Sequence, residues 1–170
     1  NEVSDKIIAF PSTYVWKMQN YGKVRITGLD VTLATALPIR EKLHLNLSGN
    51  YSWQKAIDVT NREAKNYKDQ LPYTPQHSGN LSAMLENPWL NIGYTATMMG
   101  KRYYLAQNLP ENEIEGYCEH TATLWREFGL KGVKFRLQAE IINLTNEQYD
   151  VIKYYPMPGR SWRLTGTMTF

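Results

Sequence analysis

The chain has 170 residues, 42% of them hydrophobic and 12% aromatic, with a net charge of +3. That length suffices for one domain with a real core, while a mean hydropathy of -0.50 and the lack of any run near the roughly 18 apolar residues of a spanning helix exclude a helical membrane protein. The small, scattered positive charge argues against a nucleic-acid surface.

In chain order, eight segments read as strands. Val3–Phe10 comes first, then a long Lys17–Leu37. Leu43–Trp53 alternates cleanly, with Leu43, Leu45, Leu47, Gly49, Tyr51 and Trp53 on one face and His44, Asn46, Ser48, Asn50 and Ser52 on the other. His77–Glu86, Trp89–Tyr103, Gly116–Phe128 and Val133–Ile142 repeat the pattern, and Ser161–Phe170 closes the chain. In that last segment Trp162, Leu164, Gly166, Met168 and Phe170 oppose Arg163, Thr165, Thr167 and Thr169. No 3.6-residue periodicity persists long enough for a helix. The second segment breaks its own parity: Val24 and Ile26 share one, Leu29, Val31, Leu33 and Leu37 the other. With Gly28 at the switch, a bulge there would restore one apolar face, or the strand ends at Gly28.

A tilted strand of about ten residues crosses a bilayer, so such strands suit an up-and-down transmembrane β-barrel. A half-buried strand in a soluble sandwich would alternate in the same way. Connections separate the two. Pro38–Lys42, Asn87–Pro88 and Gly129–Gly132 are short, while Pro11–Trp16, Gln54–Gln76, Tyr104–Glu115 and Asn143–Arg160 are long. Antiparallel neighbours gather the short connections on one rim and the long ones on the other, as in outer-membrane barrels. Aromatics sort by depth as well. Tyr51, Trp53, Tyr103, Tyr104, Tyr117 and Trp162 fall at long-loop ends, and Trp89, Phe128 and Phe170 at short-turn ends, as two interfacial girdles would. The first residues are no signal peptide and begin within a strand-like pattern, so the chain reads as a piece of something longer.

Asn143-Leu-Thr-Asn-Glu-Gln-Tyr149, then Tyr155-Pro-Met-Pro-Gly-Arg160, then the terminal strand closely resemble the carboxy-terminal end of TonB-dependent outer-membrane receptors. Asn20-Tyr-Gly-Lys-Val-Arg-Ile-Thr-Gly-Leu-Asp30, Asn50-Tyr-Ser-Trp53 and Tyr73-Thr-Pro-Gln-His77 resemble that family too. The resemblance implies an all-β fold. Residues 1–170 would be about eight antiparallel up-and-down strands from the C-terminal part of a larger, 22-stranded barrel whose plug domain lies elsewhere. It also implies a Gram-negative outer membrane and active uptake of iron chelates, haem or cobalamin. The partners it implies are outer-membrane lipid, the plug and remaining strands of the parent, TonB through the N-terminal part, and the barrel-assembly machinery. The terminal face of Trp162, Leu164, Gly166, Met168 and Phe170 resembles the signal that this machinery reads.

Ligand contacts would then come from the loop residues Tyr67, Tyr73, Tyr104 and Tyr154, whose rings offer rigid amphipathic area. Asp30, Arg136, Glu140 and Arg163 would meet the plug or line the water path, or else pair across strands to fix register. Pro156, Pro158, Gly159 and Arg160 would pin entry to the last strand, through fixed φ at proline and positive φ at glycine. No enzyme motif is present, and no cofactor is implied. His44, His77 and His120 read as lumen or rim residues, Cys118 as a small packed residue, and Glu111, Glu113 and Glu115 as a solvated loop run. The sequons at Asn46, Asn80 and Asn143 read as chance. Two rival readings remain: a self-contained eight-stranded outer-membrane protein with a structural or adhesive role, and a soluble lipocalin-like carrier.

Overall fold

A computed structural model describes residues 2–11, 15–130 and 132–170. The strands are β1 (Glu2–Pro11), β2 (Trp16–Arg40), β3 (Leu43–Asp58), β4 (His77–Glu86), β5 (Asn91–Met99), β6 (Arg102–Tyr103), β7 (Glu113–Ile114), β8 (Tyr117–Leu130), β9 (Val133–Ile142), β10 (Asp150–Ile152), β11 (Tyr155–Pro156) and β12 (Ser161–Thr169), with one 3₁₀ turn at Pro110–Asn112. Eight of them form a single antiparallel sheet in the order β1-β2-β3-β4-β5-β8-β9-β12, and β6–β7 and β10–β11 are separate small ribbons. The sheet is open: β1 and β12 occupy opposite edges and do not pair. The self-contained closed eight-stranded barrel is therefore not what these strands form.

Alternation dictates the two faces. Residues directly opposite in an antiparallel pair point to the same side. Leu29–Trp53, Val31–Tyr51, Leu33–Gly49 and Leu37–Leu45 thus share one face, with Asp30–Ser52, Thr32–Asn50 and Ala36–Asn46 on the other. The same apolar face runs through Leu81–Ala96, Ile92–Leu124 and Leu137–Gly166 to the last strand. It is uncovered: Leu33 is 73% exposed, Trp162 72% and Leu164 84%. A soluble sandwich would bury this face beneath a second layer, and none lies over it among the described residues. A continuous exposed apolar band of this extent needs a non-aqueous neighbour. Arg126 interrupts the band between Leu124 and Phe128, near the short-turn end of β8, where a long side chain can reach the interface.

Strand lengths show where the bilayer ends. β4, β5, β9 and β12 have 10, 9, 10 and 9 residues, which is what a tilted crossing requires. β2 has 25 and β3 has 16, so both overrun it. The excess lies on the long-loop side, because β2 and β3 join at the short turn after Arg40. β1 pairs only with Trp16–Arg25, so the β1–β2 hairpin is a ribbon projecting beyond the crossing segment. Pro11 pairs with Trp16, which makes the first long excursion a ribbon rather than a loop; Ser12–Tyr14 lie outside the described residues.

The parity switch at Gly28 follows from this overrun. β2 neither bulges nor ends there: its register with β3 is continuous from Val24–Asp58 to Pro38–His44, and the shift falls between Pro38 and Arg40 instead. What changes is the surroundings. Below Gly28 the outer face is apolar; above it that face carries Thr27, Arg25 and Lys23, and the apolar side chains Ile26 and Val24 turn to the opposite face. Val24 there joins Tyr21, Ala56 and Leu71 in the principal buried cluster, with Ile26 packed against it. Glycine stands at 28 for a different reason: a Cβ would lie 2.8 Å from the Trp53 carbonyl oxygen.

Other boundaries also differ from the sequence reading. β5 begins at Asn91, because the Asn87 side-chain oxygen accepts hydrogen bonds from the Trp89 and Leu90 amides (3.0 Å each) and folds those residues into a turn. β5 stops at Met99, and Arg102–Tyr103 leaves the sheet to pair with β7. Tyr103 and Tyr104 belong to the loop region described below, and Tyr117, the first residue of β8, pairs with Met99 on the face opposite the apolar band; of the six aromatics at long-loop ends, Tyr51, Trp53 and Trp162 lie on the apolar face.

Candidate functional site

The connections on the long-loop rim are built against one another. In the β3–β4 connection, residues 59–76, Gln70 is 4% exposed and uses its whole amide: Oε1 accepts from the Ala56 amide (3.1 Å), while Nε2 donates to the carbonyls of Gln54 (3.3 Å) and Thr74 (3.1 Å). Its backbone amide donates to Asn108 Oδ1 (2.7 Å), and Asn108 Nδ2 donates back to the Gln70 carbonyl (3.0 Å). This ties the 59–76 connection to the one between β5 and β8. Tyr73 adds a second tie, its amide donating to the Tyr103 carbonyl (2.8 Å).

Arg102 joins the β5–β8 connection to the one before the last strand. It is 2% exposed, and its guanidinium donates to the carbonyls of Glu115 (3.4 Å), Asp150 (2.5 Å) and Val151 (2.9 Å). The Tyr117 ring lies 5.8 Å from the guanidinium carbon. Burial lowers the Arg102 pKa from its ordinary value, with Tyr117, Tyr73 and Asp150 opposing that shift. Lys153 follows on the β10–β11 hairpin: Nζ donates to the Glu113 carbonyl (2.9 Å) and lies 5.9 Å from the Tyr104 ring centroid and 5.7 Å from that of Tyr154. Those rings meet edge to face, 6.1 Å apart at 70°. Their hydroxyl contact raises the Tyr104 pKa first of all, and burial raises that of Tyr73.

Three of the four loop tyrosines singled out from sequence, Tyr73, Tyr104 and Tyr154, are thus brought together around Lys153 and Arg102. Tyr67 stands apart, with Lys68 Nζ 5.4 Å from its ring centroid. Tyr73 and Tyr154 hold positive φ (54° and 68°), a strained setting for non-glycine residues. Sequence reasoning missed Arg102, which it read as part of the strand Trp89–Tyr103 although β5 ends at Met99, and Lys153, because irregular connections carry no periodicity from which burial can be read.

The segment Asn143–Tyr149 is a latch. Asn143 is fully buried at φ 54°; Nδ2 donates to the carbonyls of Glu147 (2.8 Å) and Pro158 (3.3 Å), and Oδ1 accepts from the Glu147 amide (2.8 Å). The Glu147 carboxylate accepts from the Cys118 amide (3.3 and 3.2 Å), and the Tyr149 hydroxyl donates to Glu119. Tyr149 also stacks on Tyr117 at 3.9 Å. The Asn146 side-chain oxygen accepts from the Arg160 amide (2.9 Å). Glycine at 159 answers close approach, since a Cβ would sit 2.7 Å from Asn146 Oδ1; the positive φ values belong to Asn143 and Asn146 rather than to Gly159. Pro156 pairs with Asp150 inside the β10–β11 hairpin, so the approach to β12 is held from Pro158 onward.

Of the four residues placed in the lumen from sequence, three make polar contacts within the sheet. Arg163 lies directly opposite Glu140 and bonds to it. Arg136 lies opposite Glu127 (3.4 Å), donates to Gln138 (2.9 Å) and covers the Trp125 ring at 5.4 Å. The Trp125 ring has room because Gly93 faces it: a Cβ there would lie 3.2 Å away. Asp30 has no ion-pair partner among the described residues and sits opposite Ser52. His77 and His120 share the apolar face, each with Nδ1 2.6 Å from a tyrosine hydroxyl, Tyr51 and Tyr94 respectively. His120 is thus not a lumen residue. Glu113 pairs with Lys101 (3.0 Å), and no cluster of three or more His, Cys, Asp or Glu among the described residues could hold a metal ion. Trp162, Leu164, Gly166 and Met168 line one face of β12, whose second edge has no partner strand among the described residues, and Phe170 follows at 95% exposure.

An open antiparallel wall with an apolar outer band, short turns on one rim and packed loops on the other defines a segment of a transmembrane barrel. Residues 1–144 match the family model described as TonB dependent receptor-like, beta-barrel, and the chain belongs to that family. Its fold is similar to the ferric preacinetobactin receptor BauA from Acinetobacter baumannii (17% identity, TM-score 0.75, 96% of this chain and 25% of that one). It is likewise similar to the ferric-catecholate import receptor Fiu from E. coli K12 (21%, 0.66, 97% and 23%) and to the copper transporter OprC (15%, 0.65, 99% and 27%). The chain therefore spans about a quarter of the length of these proteins. No curated protein sequence matches it. The family and these neighbours are transport receptors, not enzymes.

Proposed function

We propose that this chain is the C-terminal wall of an outer-membrane receptor for active uptake of a metal chelate, with iron chelates, haem and cobalamin as the candidate cargoes. The observation that carries this reading is the fused loop cap, in which the Tyr104 and Tyr154 rings meet edge to face beside the Lys153 ammonium above the rim. Rigid aromatic area beside fixed positive charge suits an anionic, ring-bearing chelate. The parent would supply the remaining strands and a plug, which the polar face of this wall would enclose. Coupling to TonB would run through the N-terminal part, insertion through the barrel-assembly machinery reading Trp162–Phe170, and outer-membrane lipid would cover the apolar band.

The test uses the full parent receptor. Binding titrations against ferric chelates, haem and corrinoids should give one cargo class with high affinity. The pair Tyr104→Ala with Tyr154→Ala should weaken that binding by roughly tenfold or more, the loss of two ring contacts. A receptor that binds none of these cargoes, in a strain whose uptake of all of them survives deletion, defeats the proposal.

A further inference from the structure

The apolar face has a groove of about 690 Å³ across β2–β8. Its floor is made of small residues, Gly49, Gly79, Ala96 and Cys118, and Leu33 and Leu81 wall it. Register places this groove in one continuous column with a charged cluster. Leu33 lies opposite Gly49, Val31 opposite Tyr51, Leu29 opposite Trp53, and Thr27 opposite Lys55, with Arg25 two residues further along the same face. Arg25 donates to Glu2 at 2.9 Å, and Lys23 pairs with the same carboxylate at 3.1 Å. Lys55 is exposed and has no ion-pair partner among the described residues. Among the described residues, Lys23, Arg25 and Lys55 therefore face one carboxylate, Glu2, immediately beyond the Trp53 level on the long-loop side.

We infer that this column is a binding site for a phosphorylated lipid of the outer leaflet, its acyl chain in the groove and its phosphate on Lys55 and Arg25. The inference rests on the reading that this face meets lipid. Two features point to this occupant. An apolar furrow floored by glycine and alanine admits a chain that a wall of leucines would exclude. Surplus positive charge where the apolar band stops lies at headgroup height, and basic residues at that depth attract anionic lipids. Bulk hydrocarbon alone would fill the groove but gives no reason for the charge in register above it.

The experiment uses the parent receptor in phosphatidylcholine nanodiscs doped with phosphatidic acid or with diacylglycerol of the same acyl chains, lipids retained being counted by native mass spectrometry. Phosphatidic acid should be retained over diacylglycerol by roughly five- to twenty-fold. R25Q with K55Q should abolish that preference, and Ala96→Leu, which fills the floor, should lower retention of phosphatidic acid. All three positions are on the outer surface of the wall, so the barrel should fold in each variant. Equal retention of the two lipids overturns the inference, as does a preference unchanged in R25Q with K55Q or displacement of phosphatidic acid by inorganic phosphate. A nitroxide on Leu164→Cys separates the two levels. If it is inaccessible to oxygen dissolved in the bilayer, the lipid-facing reading fails; if it is accessible while lipid selectivity is absent, only the present inference fails.

Discussion

Arg102 is the strongest point of leverage in the loop cap, and its removal should undock one connection from another without unfolding the wall. The side chain is 2% exposed and donates to three carbonyls, two of them on the β10–β11 hairpin. Hydrogen bonds to a charged group contribute about 1.5–3 kcal/mol each. The Glu115 contact, at 3.4 Å, is long, so the two hairpin bonds dominate. Arg102→Met keeps most of the volume and leaves the Asp150 and Val151 carbonyls without their donor, for a predicted cost of about 3–5 kcal/mol to docking of the hairpin. Arg102→Lys should recover only part, since a compact ammonium lacks the planar fork that reaches separate acceptors. Hydrogen exchange on the full receptor is the assay. Amides of residues 149–157 should exchange faster by roughly two orders of magnitude or more in Arg102→Met, while those of β4, β5 and β9 stay protected. Unchanged exchange over 149–157 would refute the reasoning, and so would uniform loss of protection across the sheet, which would make Arg102 a determinant of the whole barrel.

Three further outcomes follow from single contacts. Asn143→Ala should destabilise the approach to β12 by about 2–4 kcal/mol, read as protease nicking between β9 and β12; Asn143→Gly, which tolerates φ 54°, should recover only the backbone part. Gly28→Ala should cost about 1–3 kcal/mol in urea-dependent folding into vesicles, because its Cβ meets the Trp53 carbonyl at 2.8 Å, whereas Gly129→Ala, with its nearest neighbour at 3.9 Å, should cost under about 0.5 kcal/mol. Tyr21, 1% exposed and with no partner for its hydroxyl among the described residues, has its pKa pushed up to about 12 by burial and by Asp58. A phenol whose folded pKa exceeds its unfolded value contributes fully below about pH 10 and loses that contribution as pH rises toward 12. Tyr21→Phe should therefore be neutral or slightly stabilising at pH 7, and it should flatten the decline of ribbon stability between about pH 10 and 12, measured by exchange on β1 and β2 amides.

The crossing strands were legible because a bilayer wall imposes period two on every element at once. Leu43–Trp53 and Ser161–Thr169 could be assigned from alternation alone. The parity switch at Gly28 was equally visible, but alternation cannot distinguish an inserted residue from an exchange of environments. Both move apolar side chains to the other parity, and only the unbroken pairing with β3 separates them. The loop cap was legible in type and not in arrangement. Loop tyrosines can be picked by composition, yet the hairpin carbonyls that Arg102 grips lie 48 and 49 residues away, and nothing local to Lys101-Arg102-Tyr103 encodes them. The Asn143–Tyr149 motif sat between these cases: its order was recognisable, while the buried side-chain bonds that explain it appear only once β8 and the Pro158–Arg160 turn are beside it.

The long strands and the loop cap are one construction. A connection of the length of residues 59–76 loses much conformational freedom on ordering, and a packed surface must offset that loss. Beyond the bilayer a barrel rim offers little such surface. The overrun of β2 and β3 supplies it: Val24 and Ala56, raised above the crossing segment, bury Leu71 together with Tyr21. Leu71 fixes its neighbour Gln70, Gln70 holds Asn108, and Asn108 belongs to the same connection as Arg102, which grips the hairpin before β12. Order thus passes from the projecting ribbon at one edge of the wall to the last hairpin at the other, through contacts between side chain and backbone. Shortening β2 and β3 to ten-residue crossings would leave the bilayer-spanning wall intact and remove the first support in that series.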